Sequence, residues 1–282
     1  MNVTAALRTA GEQLELSGID RPRHEASSLL AFAIKRDRTF LFAHPEYVLT
    51  SDESRLYSDA ISRRSLREPI QYIVGKQDFY GLEFAVDHNV LIPRPETEIL
   101  VEAAIERLST LNEPRFLEIG IGSGCITHTI LKHIPAATAV GVDISSAALA
   151  VARSNAEAHG VERRVDLIVA DIYSAFDGQR FDAIVTNPPY VESDDIEGLQ
   201  PEVRLYEPHI ALTDGGNGLS IIERIITGAG HFLLPNGFLL VEIGFGQMES
   251  VKTMYDPVIW LEPEFIDDQQ GIPRTALSVR RN

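Results

Sequence analysis

A tetrapeptide in the second half of the chain combines residue types that can hold an amide-like nitrogen. Asn187, Pro188, Pro189 and Tyr190 directly follow the apolar segment 181–186. Two consecutive prolines remove two backbone donors, so the side-chain oxygen of Asn187 and the carbonyl oxygen of Pro188 remain as acceptors. Two acceptors suit an NH2 group whose hydrogens are held out of the conjugated plane. Such a nitrogen becomes pyramidal and can attack a sulfonium methyl group, while Tyr190 stacks on the planar group. The alternative interpretation is a plain turn, because Asn-Pro and Pro-Pro are common turn dipeptides.

A glycine-rich segment upstream predicts a nucleoside site. Residues 116–124 read Phe-Leu-Glu-Ile-Gly-Ile-Gly-Ser-Gly, and alternating glycines let the backbone turn tightly beside helix N–H groups. The third glycine follows the second by two residues, so the dinucleotide-binding pattern G-x-G-x-x-G is not met. Asp143 ends the next strand-like run, where a carboxylate can accept hydrogen bonds from both hydroxyls of a ribose. A plain turn at Gly122 and a helix cap at Asp143 are the alternatives. NAD and S-adenosylmethionine both suit this pattern, and the tetrapeptide favours S-adenosylmethionine.

The elements that must position these residues alternate between strand and helix from Arg115 onward. Helical segments lie at Ser145–His159 and Leu219–Leu233, and apolar strand-like runs lie at 115–119, 138–142, 165–169, 181–186 and 237–243. This alternation predicts an α/β fold, a parallel sheet with helices on both faces. Ligands bind at the carboxyl ends of such strands, where the tetrapeptide lies. Two further strand candidates, Ile259–Ile266 and Thr275–Arg280, complete the sheet, with an antiparallel edge as one option.

The N-terminal part of the chain is predicted to be a small helical domain, residues 1–70. Thr50 and Glu53 form a capping-box pattern that begins a helix through about Arg67, and Pro69 ends it. Strand-like patterns at Gln71–Val74 and Asp78–Val86 then predict a β-hairpin linker over 71–95. The catalytic domain is expected to occupy residues 96–282.

Composition and charge exclude several classes of protein. The chain has 282 residues, 25 Lys and Arg against 41 Asp and Glu, and a net charge of −16. Residues 1–70 contain ten basic and ten acidic side chains, so residues 71–282 carry the entire net charge of −16. That acidity disfavours long contacts with a phosphate backbone. No apolar run reaches the roughly 18 residues of a membrane span, and no signal peptide is recognised. The single cysteine, Cys125, fits a reducing cytosol.

Several further motifs extend over almost the whole chain. They are Glu-Pro-Ile-Gln-Tyr-Ile-Val-Gly at 68–75, Leu-Ile-Pro-Arg-Pro-Glu-Thr-Glu at 91–98, Asp143-Ile144-Ser145, Glu207-Pro208 with Ala211-Leu212 and Gly215, Glu242-Ile243-Gly244 with Gln247, and Asp268, Gly271 and Arg274. Together with the glycine segment and the tetrapeptide, they make the chain resemble the HemK/PrmC family, the release-factor glutamine N5-methyltransferases. The segment at 91–98 is the most specific to that family.

The resemblance implies a Rossmann-like, S-adenosylmethionine-dependent methyltransferase sheet preceded by a helical substrate-recognition domain. The implied activity is methylation of the N5 side-chain amide of the glutamine in the Gly-Gly-Gln motif of class I peptide chain release factors. Asn187 to Tyr190 would hold the glutamine, with Asn187, Pro188 and Tyr190 catalytic. The implied cofactor-binding residues are Glu118, Gly120, Ile121, Gly122, Ser123, Gly124, Asp143, Asp171, Ile172 and Asn187. At Glu118, Ile121 and Ile172 the family more often has aspartate, threonine and an aromatic residue.

Two other functions compete with this one. An adenine-N6 methyltransferase of DNA or RNA shares the tetrapeptide, but it needs a basic groove and a base-flipping pocket, which the negative charge disfavours. An S-adenosylmethionine-sensing protein would not need two acceptors for an NH2 group. We therefore expect a cytoplasmic enzyme with a protein substrate, without membrane or direct nucleic-acid binding.

Three smaller expectations concern residues outside the two main motifs. Arg94, Glu96 and Thr97 either close over the methionine end of the cofactor or cap the following helix. Cys125 is expected to be a small buried residue, and no metal is expected, because the histidines lack metal-binding spacing. Asp268 and Arg274 are expected to form a structural ion pair.

Overall fold

The computed structural model describes all residues from Met1 to Asn282 and divides into two compact units. Unit 1 comprises Met1–Lys76 and Gln200–Tyr206, and unit 2 comprises Gln77–Leu199 and Glu207–Asn282. The chain therefore leaves unit 2 after Leu199, contributes a short segment to unit 1 and returns at Glu207. None of the helices is long and apolar enough to span a lipid bilayer.

Unit 1 is helical. Its helices are α1 Val3–Leu16, α2 Pro22–Ile34, α3 Arg38–Ala43, α4 Ser51–Ser65, α5 Ile70–Val74 and, from the later part of the chain, α9 Pro201–Tyr206. The predicted capping box is present: Thr50 N donates to Glu53 Oε2 at 2.8 Å, and Glu53 N donates to Thr50 Oγ1 at 3.3 Å. Helix α4 ends at Ser65, slightly earlier than predicted, and Arg67 beyond it adopts a left-handed φ of 73° that no α-helix accommodates.

An apolar core and a buried ion cluster stabilise unit 1. Its fully buried side chains include Leu14, Ala26, Leu29 and Leu30. The guanidinium of Arg64 is almost completely buried and pairs with Glu25 and Glu202. Arg67 binds the second oxygen of Glu202 at 2.8 Å. Tyr206 Oη donates to Leu66 O at 2.7 Å. These bonds hold α9 to the N-terminal helices.

The strand predicted at Gln71–Val74 is wrong, because these residues belong to helix α5. Pro69 precedes the helix, and Gly75 ends it with a φ of 76°. A short apolar run has too few residues for its period to distinguish a strand from a helix. The hairpin lies just beyond, with β1 at Lys76–Phe79 and β2 at Leu82–Ala85.

Unit 2 contains the predicted sheet of seven strands in the order β5-β4-β3-β6-β7-β9-β8. The strands are β3 Arg115–Ile119, β4 Thr138–Asp143, β5 Val165–Val169, β6 Phe181–Thr186, β7 Leu233–Glu242, β8 Glu264–Asp267 and β9 Pro273–Val279. β3 to β7 are parallel, and β9 pairs antiparallel with β7 and β8. The strand candidate Ile259–Ile266 is only partly confirmed. Trp260 forms an isolated bridge, and Pro263, which lacks an N–H, separates it from β8.

Helices cover both faces of the sheet. They are α6 Thr97–Leu108, α7 Cys125–His133, α8 Ser146–His159, α10 Ser220–Phe232 and α11 Met248–Lys252. Successive strand residues point to opposite faces, so Phe116 and Leu117 belong to separate buried clusters. From β3 the sheet runs through β4 to β5, and the chain then crosses to β6 on the other side of β3. The strand order therefore reverses between β3 and β6, which is where open α/β sheets bind ligands.

Candidate active site

A cavity of about 270 Å³ lies at the carboxyl ends of β3, β4 and β6. Both predicted motifs contribute to it. Among the predicted site residues, those that line the cavity are Glu118, Gly120, Ile121, Gly122, Ser123, Asp143, Asp171, Ile172, Asn187, Pro188 and Pro189. Gly124 and Tyr190 lie outside the lining. The structure therefore brings together two segments that are far apart in the sequence.

The glycine loop leads from β3 to α7 through backbone angles that favour glycine. Gly120, Gly122 and Gly124 have φ values of 71°, 54° and 81°. A Cβ atom at Gly120 or Gly122 would meet nothing within 4 Å, so their backbone is open to a ligand. At Gly124 a Cβ would lie 2.2 Å from Nε2 of His128. Gly120 and Gly122 thus form the open part of the loop, and Gly124 leaves room for the side chain of His128.

Asp143 connects the end of β4 to the glycine loop. Its Oδ2 accepts a hydrogen bond from Gly122 N at 3.0 Å, and its Oδ1 accepts one from Ser145 N at 2.9 Å. Helix α8 is capped by Ser145, whose Oγ accepts from Ala148 N. Burial raises the pKa of Asp143, and these backbone hydrogen bonds oppose the shift. A carboxylate offers about four acceptor positions, so Asp143 retains acceptors for ligand hydroxyls.

Glu118 places a carboxyl group in the interior of unit 2. Its side chain is 1% exposed and accepts a hydrogen bond from Thr127 N at 3.0 Å. Burial raises the pKa of Glu118 to about 8, and the hydrogen bond from the backbone N–H of Thr127 opposes the rise. A cation in the cavity would favour the ionised carboxylate. This end of the cavity therefore suits a positively charged ligand group.

Ile172 and Asp171 form another part of the cavity wall. Ile172 adopts a φ of 51°, a left-handed conformation that is unfavourable for a β-branched residue. It is buried and lines the cavity. The Asp171 carboxylate pairs with Arg224 at 2.7 Å near the surface. Ile172 thus presents an aliphatic surface on which a planar ring can pack.

Asn187 follows β6, and its amide is oriented by a neighbouring threonine. Its Nδ2 donates to Oγ1 of Thr97 at 3.0 Å. Because the nitrogen is engaged there, Oδ1 is the amide atom left for the cavity. Thr97 does not cap helix α6: Glu96 occupies the N-cap position, and no side chain caps this end. The capping alternative is therefore not observed for Thr97, whose hydroxyl oxygen accepts from the tetrapeptide instead.

Tyr190 is held beside the cavity by two hydrogen bonds. Its hydroxyl donates to Oε1 of Glu242 at 3.2 Å, and its carbonyl accepts from Nε2 of Gln247 at 2.9 Å. A Cβ at Gly218 would lie 2.1 Å from the same carbonyl oxygen. Burial and Glu242 raise the pKa of Tyr190 well above its usual value. Tyr190 therefore remains protonated and serves as a donor.

Two buried acids near the site were not given a role by the sequence analysis. Glu242 ends β7 and is 1% exposed. Glu207 is also buried, accepts from Ile92 N at 3.1 Å and pairs with Arg94, which lines the cavity. Acidic residues are rarely buried without partners. A glutamate at the end of the long apolar run of β7 was a usable signal for Glu242.

Three smaller features of unit 2 can also be compared with expectation. Asp268 and Arg274 form the predicted ion pair at 3.1 Å. Cys125 is buried, and burial raises the pKa of its thiol. No three histidine, cysteine or acidic side chains are grouped as a metal site.

Comparison with known proteins places these features in a family. Residues 5–75 match the PrmC N-terminal domain, and residues 96–217 match the methyltransferase small domain. A release factor glutamine methyltransferase of Koribacter versatilis is 40% identical over 98% of this chain and 98% of its own length. One of Geobacter sulfurreducens is 42% identical over 92% of this chain and 90% of its own length.

The chain belongs to the release factor glutamine methyltransferase family. The predicted resemblance is confirmed, and the protein is an S-adenosylmethionine-dependent methyltransferase. Solved structures support the Rossmann-like fold of this family member. A methyltransferase of Pyrococcus furiosus has a TM-score of 0.52 at 16% identity, covering 83% of this chain and 100% of its own. The 16S rRNA N2 G1207 methyltransferase of T. thermophilus, solved with AdoMet and guanosine, has a TM-score of 0.53 at 19% identity. The match covers 73% of this chain and 50% of the T. thermophilus chain.

Proposed function

We propose that this enzyme transfers a methyl group from S-adenosylmethionine to the N5 side-chain amide of the glutamine in the Gly-Gly-Gln motif of class I peptide chain release factors. Relatives that match nearly the full chain carry the name release factor glutamine methyltransferase. The observation that carries the proposal is the amide of Asn187, whose nitrogen is engaged by Thr97 and whose oxygen is left for the cavity.

The cofactor occupies the cavity beside the glycine loop in this proposal. Asp143 would accept hydrogen bonds from the ribose hydroxyls, the open backbone of Gly120 and Gly122 would contact the ligand, and Ile172 would pack on the adenine. The carboxyl of Glu118 lies buried at the same cavity and compensates positive charge on the methionine portion. When bound, S-adenosylmethionine supplies an electrophilic methyl group on a positively charged sulfur.

The protein residues hold the target nitrogen for attack. Oδ1 of Asn187 and the carbonyl oxygen of Pro188 each accept one hydrogen of the glutamine NH2 group. Holding both hydrogens reduces the conjugation of the nitrogen lone pair with its carbonyl, and the lone pair can then face the methyl group. The proton leaves after methyl transfer, so no strong base is required beforehand. Tyr190, whose hydroxyl is fixed by Glu242, stacks on the planar amide.

An acceptor assay tests this function against its alternatives. The enzyme and S-adenosylmethionine with a labelled methyl group are incubated in separate reactions with a purified class I release factor, tRNA, rRNA or DNA. We expect label in the release factor alone. Label in adenine of a nucleic acid would support the adenine-N6 alternative, and label in none of them would support a cofactor-sensing protein.

Unit 1 is proposed to select the release factor, because a glutamine side chain is too small and too common to be discriminated at the reacting nitrogen. Unit 1 exposes two aromatic side chains, Phe42 with 77% and Phe32 with 40% of its surface accessible. Lys35 and Arg36 are exposed between them in the sequence. Exposed aromatic residues beside cations are typical of protein-binding surfaces. This region is therefore the proposed docking surface.

The Phe42→Ala variant tests that surface. We expect kcat/KM for an intact release factor to fall by about fivefold to thirtyfold, the range for losing 1–2 kcal/mol at an interface. A short Gly-Gly-Gln peptide lacks the rest of the release factor and is the internal control, with unchanged kcat/KM. Equal losses with both acceptors, or a loss with neither, would contradict the assignment.

A further inference from the structure

The side chain of Gln247 joins three segments of unit 2 behind the tetrapeptide. Its Oε1 accepts from Gly244 N at 2.8 Å, and its Nε2 donates to Tyr190 O at 2.9 Å. Nε2 also lies 3.5 Å from Gly218 O, at the outer limit of a hydrogen bond. Gln247 is 8% exposed. One buried amide thus connects the end of the tetrapeptide, the turn that follows β7 and the loop that precedes α10.

The partners of Gln247 determine which way its amide points. A backbone N–H can only donate and a backbone carbonyl can only accept. The oxygen of Gln247 must therefore face Gly244, and its nitrogen must face Tyr190. An ionised glutamate has no donor for the Tyr190 carbonyl, and neither has a methionine of similar length. Position 247 thus requires a donor and an acceptor on one planar group.

Two glycines allow the segments around Gln247 to pack this closely. A Cβ atom at Gly244 would lie 2.9 Å from Oε1 of Gln247 and 3.1 Å from Cδ2 of Tyr190. At Gly218, where φ is 72°, a Cβ atom would lie 2.1 Å from Tyr190 O. The backbone and the ring of Tyr190 are therefore in close contact with the same segments that Gln247 joins.

The tetrapeptide has few other backbone anchors near its end. Prolines lack an N–H, so Pro188 and Pro189 donate no backbone hydrogen bond. Beyond them, Tyr190 O accepts from Gln247, and Val191 N donates to Leu212 O at 2.9 Å. The position of the Pro188 carbonyl therefore depends on what holds the residues that follow it, and Gln247 supplies one of these bonds.

We propose that Gln247 is a positioning residue for methyl transfer: by holding the carbonyl of Tyr190, it keeps the tyrosine ring and the Pro188 carbonyl where the target amide needs them. The inference rests on the proposed function of the tetrapeptide. Gln247 and its partners Tyr190, Gly244 and Gly218 lie outside the cavity lining. Loss of the Gln247 amide should therefore lower turnover without a comparable loss of cofactor affinity.

The Gln247→Glu variant tests the donor directly, because pH controls whether its carboxyl group can donate. The protonated acid has the shape of the amide, accepts from Gly244 N and donates to Tyr190 O. The ionised form places an acceptor against the Tyr190 carbonyl. Burial raises the pKa of a carboxyl group into the range of the assay. The protonated form is the active one, so activity falls as the pH rises through this pKa.

The measured quantity is kcat of Gln247→Glu divided by the wild-type kcat at the same pH, with an intact release factor as the acceptor. This ratio removes titrations that the two enzymes share. We expect a deficit on the order of tenfold to a hundredfold at about pH 8.5, as for a small displacement of a catalytic group, and recovery toward the wild type at about pH 5.5.

Gln247→Met removes the donor at every pH, so its kcat should be lower by on the order of tenfold to a hundredfold throughout. The affinity for S-adenosylmethionine, measured by calorimetry, and KM for the release factor should change by less than about threefold. Ser278→Ala is the matched control, because it removes a buried 2.7 Å hydrogen bond to Leu261 O elsewhere in unit 2. Its kcat should remain close to that of the wild type.

Four results would overturn the inference. They are a wild-type kcat in Gln247→Met, a relative kcat of Gln247→Glu that does not change with pH, an equal loss in Ser278→Ala, and a loss of cofactor affinity as large as the loss of kcat. If Gln247→Met does not fold, the pH dependence of Gln247→Glu alone decides. Any of these results, with a wild-type enzyme that methylates the release factor, leaves the proposed function intact. A wild-type enzyme that methylates no release factor instead removes the proposed function, and this inference with it.

Discussion

The Asn187→Ala variant is expected to lower kcat on the order of a hundredfold or more, by analogy with the loss of one preorganised polar contact to a transition state. The alanine removes Oδ1, the acceptor that the Thr97 hydrogen bond leaves for the cavity. The target nitrogen then keeps only the Pro188 carbonyl as an acceptor, and its lone pair stays delocalised. The measurement is the single-turnover rate at saturating S-adenosylmethionine and release factor.

The control for Asn187→Ala is the affinity for the cofactor, which should change much less than kcat. Calorimetry with S-adenosylmethionine provides it, together with a thermal unfolding curve to show an intact fold. Near-normal turnover at saturating cofactor would contradict the mechanism. It would reduce the tetrapeptide to the turn that its prolines also permit.

Replacement of Asp143 by alanine is expected to weaken S-adenosylmethionine binding by about 1.5–3 kcal/mol, as for losing hydrogen bonds to a charged group. The ribose hydroxyls lose their acceptor, and Gly122 N and Ser145 N lose theirs as well. Calorimetry on the purified variant measures the change directly. Asp143 also accepts a hydrogen bond from the glycine loop. The measured loss of affinity therefore includes both the lost ribose hydrogen bonds and a change in the loop.

Ser145→Ala is the matched control for Asp143→Ala. Ser145 caps helix α8 through Ala148 N at 3.1 Å, so its loss should cost about 1 kcal/mol of folding stability. Ser145 also lines the cavity, but its hydroxyl oxygen is engaged by Ala148 N, so cofactor affinity should fall much less than in Asp143→Ala. If Asp143→Ala also binds S-adenosylmethionine with wild-type affinity, Asp143 is a structural residue and the ribose assignment is wrong.

Much of unit 2 could be predicted from the sequence because its central strands are buried on both faces. Such strands are continuous apolar runs bounded by turn residues, and β3 and β6 lie where those runs predicted them. The cavity followed from the same pattern, since the glycine loop and the tetrapeptide both follow parallel strands. The acid that ends β4, Asp143, was placed at the cavity for the same reason.

The remaining features depend on contacts between distant residues. The hydrogen bonds from Asn187 to Thr97 and from Tyr190 to Glu242 join distant segments, and no local spacing predicts them. The inclusion of Gln200–Tyr206 in unit 1 depends on ion pairs of Glu202 with arginines far earlier in the chain. The strand prediction at Gln71–Val74 was wrong because a short apolar run fits a helix turn equally well.

The position of the new methyl group can be determined on the methylated release factor. A purified release factor is incubated with the enzyme and S-adenosylmethionine, digested and analysed by fragmentation mass spectrometry. We expect a mass increase of one methyl group in place of hydrogen, located on the side-chain amide of the Gly-Gly-Gln glutamine, and on the order of a hundredfold less of this product with Asn187→Ala at early times. Methylation at another residue, or undiminished methylation of that glutamine by Asn187→Ala, would contradict the proposed function and mechanism.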